Sequence, residues 1–194
     1  ITEELSTLAD SILEVSYGRI RAALAERHGD PETGFSVVAL GKLGGRELNY
    51  SSDIDLMFVY GENGQTSTGL SYAEFFKRVS TTLTEVLSTY TPAGLCYRVD
   101  LRLRPDGRLG EACISLEGAK KYYETRARDW ELQMLIKARV AAGELEPGRE
   151  MLEAAEPRIY LTTLDFSSVE AVSLTRERKR LVLHLVPGPR ATAL

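Results

Sequence analysis

The sequence predicts an α+β fold in which helices flank a mixed β-sheet, and three observations lead there. Two short apolar runs rich in β-branched and aromatic residues, at 35–40 and 54–60, read as buried strands on either side of a glycine-rich turn. Residues 95–105, LCYRVDLRLRP, alternate apolar and charged side chains with the period of a strand. Around these runs lie segments whose apolar residues recur every three or four positions, the spacing of amphipathic helices.

In chain order, Leu5, Leu8, Ile12, Val15, Ile20 and Leu24 mark a helix over residues 2–28, which Gly29, Asp30 and Pro31 end. After the two strands, residues 61–69 are polar and glycine-rich, hence a surface loop. Ser71, with Glu74 three residues on, forms a capping box for a helix whose Phe75, Val79, Leu83 and Val86 share a face, and which stops near Pro92 and Gly94. The alternating segment sets Val99, Leu101 and Leu103 on one side and Arg98, Asp100, Arg102 and Arg104 on the other. A turn at 105–110 and a short strand at 112–115 follow. Ala119, Tyr123, Ala127, Trp130, Met134, Ala138 and Ala141 then step as in one long helix or two abutting ones over 116–142. Residues 144–148 break that pattern. Further helices are expected at 149–160, weakened by Pro157, and at 167–183, before an unstructured tail from Pro187. No internal repeat is present. The expected division is an N-terminal helix over 1–30 packed on the core, the core itself at 31–145, and a helical extension and tail at 146–194.

The 194 residues, 43% of them hydrophobic, suffice to bury a core. A net charge of -4 and a pI near 5.4 argue against a general nucleic-acid backbone binder, so phosphate recognition has to be local. Cys96, Cys113, His28 and His184 have no zinc-ligand spacing, and a reduced cytosolic setting fits the two thiols better than a disulfide. No stretch approaches the ~20 apolar residues of a membrane span, and the acidic start lacks the order of a signal peptide. The expectation is a cytoplasmic protein with neither membrane nor nucleic acid as partner. Ile1 in place of an initiating methionine leads us to expect a piece cut from something longer.

Asp53 and Asp55 stand one residue apart at the head of the second apolar run, so on a strand both carboxylates project from one face. Side by side they repel unless a cation lies between them, and hard oxygen donors suit Mg²⁺ or Mn²⁺. An isolated Asp-Ile-Asp serves as readily to bind turn amides. Asp100 shifts that balance: three carboxylates on neighbouring strands behind a glycine turn describe a two-metal phosphoryl-transfer centre, with ions ~4 Å apart. Gly44 and Gly45 let backbone approach a ligand and aim N–H groups at an anion. Arg102 and Arg104 read either as a solvated strand face or, preferably, as fork-shaped donors to phosphate oxygens. Arg98 and Lys42 divide evenly between a ligand and solvent. Ser51 and Ser52 suit capping the turn before Asp53 better than holding a phosphate. Lys137 and Arg139 fall near the end of the expected helix, where cations meet its dipole without any ligand, and Trp130 and Met134 read as core. The glycine spacing fits neither a P-loop nor a Rossmann site.

Together the run GKLGGRELNYSSDIDL at 41–56, YRVDLRLRP at 97–105, RDWE at 128–131 and IKAR at 136–139 closely resemble the glutamine synthetase adenylyltransferase/deadenylylase family. The resemblance covers roughly residues 34–140, and residues 187–194 do not share it. That family is a bacterial bifunctional enzyme with two nucleotidyltransferase domains, which implies a DNA polymerase β-like nucleotidyltransferase fold here. The resemblance makes Asp53, Asp55 and Asp100 the catalytic metal ligands, holding two ions of Mg²⁺ or Mn²⁺. It makes Gly44 and Gly45 the family's glycine signature and places them with Ser52, Arg102, Arg104, Lys137 and Arg139 as phosphate or nucleotide contacts. The motifs look more like the amino-terminal half, which implies phosphorolysis: inorganic phosphate removes AMP from a tyrosine of glutamine synthetase and gives ADP. Two alternatives stand beside it, adenylylation of glutamine synthetase from ATP and a non-catalytic regulatory fragment. A PII-type signalling protein is the further partner implied for the full-length enzyme.

Overall fold

Two strands buried on both faces organise the chain. β1 (Phe35–Ala39) and β2 (Ile54–Tyr60) pair antiparallel, Phe35 opposite Tyr60 and Ala39 opposite Leu56. Their side chains divide by parity. Phe35, Val37, Ala39, Ile54, Leu56, Phe58 and Tyr60 enter one apolar cluster, and Val38, Met57 and Val59 enter another on the opposite face. With helices over both faces neither strand needs a polar side, which is why each reads as a continuous apolar run.

The computed structural model describes residues 1–160; the expected helix at 167–183 and the tail from Pro187 lie outside them. The sheet has five strands and is mixed. β5 (Arg139–Gly143) pairs antiparallel with the free edge of β1, with a register shift between Val37 and Val38. Along the other edge of β2 lie two short parallel strands, β3 (Val99–Asp100) beside its start and β4 (Ile114–Ser115) beside its end. Helices α1 (Thr2–His28) and α3 (Tyr72–Ser88) cover one face, where Tyr17, Phe35, Phe76 and Tyr60 stack in succession at centroid separations of 5.4, 5.0 and 5.6 Å. Helices α4 (Leu116–Thr125), α5 (Asp129–Leu135) and α6 (Leu145–Ile159) contribute Ala119, Tyr123, Leu132, Leu135 and Met151 to the cluster on the other. The fold is thus the mixed sheet with flanking helices that the sequence predicts.

Local signals account for several boundaries. Ser71 accepts a hydrogen bond from the Glu74 N–H and starts α3, and Gly29, at φ 75°, closes α1 with its N–H on the Ala25 carbonyl. The buried face of α1 differs from the expected one. Ser6, Ala9, Leu13 and Tyr17 point inward, Leu5, Ile12, Ile20 and Leu24 pack at its flanks, and Leu8 and Val15 are exposed. Small residues on the inner stripe bring the helix close enough for Ser6 Oγ to accept from the Leu48 N–H.

Three expectations of secondary structure are corrected. The long helix over 116–142 is instead α4, α5 and the strand β5, so Arg139 begins a strand and Lys137 lies in the turn before it. The unpaired edge of β1 supplies backbone partners that outweigh the helical preference of an alanine-rich segment. The supposed strand at 95–105 keeps only Val99 and Asp100; from Leu101 the chain turns, passing through a 3₁₀ turn at Gly107–Leu109. The expected break at 144–148 is the start of α6, because Pro147 occupies a first-turn position whose N–H needs no intrahelical acceptor. Residues 145 and 146 therefore lie within one helix, whose Met151 and Ala155 join the core. Trp130, expected inside, is 41% exposed. Cys96 and Cys113 are free thiols, and burial pushes Cys113 up to about 12. No helix among the described residues is long and apolar enough to cross a membrane.

Candidate active site

The parallel pairing of β2 and β3 sets Ile54 opposite Val99 and Asp55 opposite Asp100. An N–H from Ile54 to the Arg98 carbonyl at 2.9 Å anchors that register. Asp53 precedes Asp55 by two positions and so shares its face. Two of the three acids have arginine partners. Arg98 bonds Asp53 and the Ser51 carbonyl. Arg102 grips Asp100, with Nε 2.9 and 2.8 Å from the two carboxylate oxygens and its backbone N–H 2.8 Å from Oδ1. Among the described residues none gives the Asp55 carboxylate a hydrogen bond or an ion pair. Burial, then the charges of Asp100 and Asp53, push its carboxyl up to about 6, against the pull of Arg102 and Lys42.

Below the acids, the glycine segment is one helical turn, α2 (Gly41–Gly44), rather than an irregular loop. The N–H groups of Gly44 and Gly45 donate to the carbonyls of Leu40 and Gly41. What Gly44 supplies is room, since a Cβ there would sit 2.4 Å from the Lys137 carbonyl oxygen and 2.8 Å from that of Ala39. The glycine that meets the acids is Gly41, at φ 54°, where a Cβ would fall 2.5 Å from Asp55 Oδ2. Its place directly after an apolar strand was the available signal, hidden by the more conspicuous Gly-Gly pair.

The remaining expected contacts are distributed as follows. The Ser52 N–H closes a turn on the Asn49 carbonyl. Arg104 donates to the carbonyls of Leu101 and Gly110 at 3.0 and 3.1 Å and so ties the loop that follows Asp100. Lys137 pairs with Glu47 at 2.8 Å. Arg139 bonds Asp10 at 2.8 Å and the Leu43 carbonyl at 3.0 Å. The structure therefore groups Asp53, Asp55 and Asp100 with Arg98, Arg102 and the charge of Lys42, and binds Arg104, Lys137 and Arg139 to other partners. A cavity of about 360 Å³ is lined by Asn49, Tyr50, Ser51, Ser52, Tyr90 and Arg98 among others; it reaches the partner of Asp53, Arg98, but none of the three acids lines it. A larger hollow of about 540 Å³ behind β4, bordered by Lys77 and Cys113, is likewise lined by none of the three acids.

Among the described residues no three acid, histidine or cysteine side chains are gathered closely enough to hold a metal ion as they stand. The expected convergence of three carboxylates on one point is thus incomplete, and Asp53 and Asp100 are each held by an arginine instead. The donor chemistry nonetheless fits a hard divalent cation. All three groups are carboxylates, and Asp55 carries a charge disfavoured by burial and by two like neighbours.

A family model described as glutamate-ammonia ligase adenylyltransferase matches residues 1–154. The chain belongs to this family. It is 37% identical to the bifunctional glutamine synthetase adenylyltransferase/adenylyl-removing enzyme of Hahella chejuensis over 185 residues, 91% of this chain and 19% of that protein. To the enzyme of the same name from Aromatoleum aromaticum it is 41% identical over 180 residues, 89% of the chain and 19% of the relative. For the Pseudomonas aeruginosa enzyme the figures are 38% over 189 residues, 92% and 19%. The chain thus spans about a fifth of the length of these adenylyltransferase relatives, and the family resemblance read from its motifs holds.

Proposed function

We propose that Asp53, Asp55 and Asp100 form the centre of a nucleotidyltransferase site acting on glutamine synthetase, and that its reaction is phosphorolytic removal of AMP from an adenylylated tyrosine. The observation that carries this reading is the β2–β3 register, which puts Asp55, whose carboxylate has no partner among the described residues, beside Asp100 and within the field of Asp53. Strand, glycine turn, strand headed by two acids and a parallel neighbour bearing a third is also the arrangement that supports a DNA polymerase β-like fold.

The three carboxylates would hold Mg²⁺ or Mn²⁺, two ions in all, which when bound offset negative charge on the attacking and departing oxygens. Arg98 and Arg102 border the acids with planar forks matched to phosphate oxygens, so anionic substrates meet positive charge at the rim of an acidic centre. Lys42 adds a point charge near Asp55. Gly41 keeps the α2 backbone against that carboxylate and leaves no space for a side chain between them. Ser52 and the tyrosines of the neighbouring cavity line it together with Arg98, the partner of Asp53. In the reaction a phosphate oxygen bonds to the α-phosphorus of the AMP-tyrosyl ester. The bond from phosphorus to the tyrosyl oxygen breaks, that oxygen takes up a proton, and ADP and free tyrosine result. Alignment of two anions at this rim is the main contribution of the protein.

The test supplies adenylylated glutamine synthetase, inorganic phosphate and Mn²⁺ and measures ADP. ADP from the natural chain with little or none from Asp55→Asn and Asp53→Asn supports the reading; equal ADP from all three removes it. The relatives' shared name covers both addition and removal of the adenylyl group, so unmodified glutamine synthetase with ATP is the second arm. AMP incorporation there without phosphorolysis assigns the chain to the opposite direction.

A further inference from the structure

Arg139 opens β5, directly beside the end of β1, and its guanidinium turns toward α1 and α2. Nη2 donates to Asp10 Oδ1 at 2.8 Å and to the carbonyl of Leu43, in the last turn of α2, at 3.0 Å. The two charged side chains are 20% and 18% exposed, and Arg139 Nε is buried with no partner among the described residues. A buried donor left unmade is a cost, and here it accompanies a geometry that satisfies two other elements at once. The second oxygen of Asp10 lies 3.9 Å from Arg46, the residue after Gly45, whose φ is 55°. Asp10 thus joins α1 to both β5 and the chain leaving α2. At the opposite end of the same helical turn Gly41 abuts Asp55, and the Leu40 N–H donates to the Asp55 carbonyl at 2.9 Å. One short helix therefore has Arg139 and Asp10 at its C-terminal end and the candidate site at its start.

We propose that Arg139 is a positioning residue: with Asp10 it forms a strut that fixes α2 against Asp55, and it acts on the reaction through that turn instead of by touching nucleotide. A phosphate reaching this guanidinium would displace Asp10, leave that carboxylate half-buried beside Arg46 alone, and release the carbonyl of Leu43. Lysine keeps the charge but not the reach: both bonds come from the one nitrogen Nη2, which lies one bond farther along the side chain than a lysine ammonium on its flexible stem. The effect on catalysis rests on the nucleotidyl-transfer reading above; the strut itself does not.

Hydrogen exchange at the amides of residues 41–45 separates the two, since the N–H groups of Gly44 and Gly45 are bonded within the turn. Four proteins are compared: the natural chain, Arg139→Lys, Asp10→Asn and the double variant. Each single substitution is expected to speed exchange there about tenfold, with the double variant no faster than either, because both remove one strut. Where ADP formation is measurable, kcat falls about tenfold while the KM for phosphate and the affinity for AMP stay unchanged. Asp10→Asn keeps the shape of the side chain and guards against a variant that merely unfolds. Unchanged exchange in Asp10→Asn, or additive effects in the double variant, would overturn the proposal. So would a loss of AMP affinity confined to Arg139→Lys, which is the behaviour of a direct contact. Absence of phosphorolysis in the natural chain would sink the functional reading alone, with exchange and AMP binding still deciding the strut.

Discussion

Glu144 and Asp55 are carboxylates beside the same sheet, and the fold treats them in opposite ways. Glu144 follows β5 and receives the Tyr17 hydroxyl at 2.7 Å, the Phe35 N–H at 2.9 Å and the Arg21 guanidinium at 2.6 Å. Arg21 is itself tied to Asp30 at 2.8 Å, and the Ser36 hydroxyl donates to the Glu144 carbonyl while accepting from the Gly148 N–H. Burial, reinforced by the bond to Glu144, raises the Tyr17 phenol well above its ordinary value, so that network keeps its protons through neutral pH. These contacts lock α1, β1 and the junction of β5 with α6 together. The Asp55 carboxylate, by contrast, has two acids for neighbours and no donor among the described residues, and it is pushed up to about 6. A carboxylate that serves the fold is surrounded by donors; one left short of them destabilises the free protein and is tolerated where a ligand completes it.

Substitution at the two places should give opposite signatures. Asp55→Asn is expected to lower ADP formation at least about a hundredfold, the order seen when a preorganised electrostatic partner is removed, with no fall in the urea midpoint. Glu144→Ala should do the reverse. It removes three hydrogen bonds at a partly exposed carboxylate and lowers unfolding free energy by about 2 kcal/mol, while turnover per folded molecule is retained. If the Asp55 variant loses stability and the Glu144 variant loses turnover, the division between the two regions is wrong.

A smaller effect concerns pH. Because the folded carboxyl of Asp55 titrates near 6, above the ordinary range, the fold favours its protonated form. Its contribution is complete below about pH 4, is lost as pH rises through about 6, and stays absent above. The cation-free Asp55→Asn protein should therefore exceed the natural chain in stability by about 1 kcal/mol at neutral pH, after allowance for solvent screening, and match it near pH 4. Urea unfolding at the two pH values checks the sign; an Asn variant less stable at neutral pH contradicts it. Gly41→Ala should cost about 1 kcal/mol through its positive φ alone and also reduce turnover, since the added carbon meets the Asp55 carboxylate. Loss of stability with full turnover would show that the contact with Asp55 is incidental.

How much of this was legible follows from which interactions are local. β2 was readable to the residue, and so was the Ser71 cap, because apolar composition and a side chain three residues from its acceptor leave their mark in sequence. The pair of Asp53 and Asp55 was readable from strand period, and Asp100 from its place in an alternating run. β5 was not. Its RVAAG continues an alanine-spaced helical pattern, and only the open edge of β1, remote in sequence, makes it a strand. The alternation at 95–105 overstated β3 because Arg102 folds back on Asp100 and Arg104 on loop carbonyls, so the charges that looked like a strand face close a turn. Nor does spacing reveal that Arg98 pairs with Asp53 or Arg139 with Asp10, since both partnerships join elements far apart in the chain.

Binding of Mn²⁺, followed by the loss of its free-ion electron paramagnetic resonance signal, decides whether the acids around Asp55 await a cation. The account predicts saturable binding to the natural chain, abolished in Asp55→Asn and retained in Glu144→Gln. Binding that survives intact in Asp55→Asn, or that the natural chain lacks altogether, would contradict it.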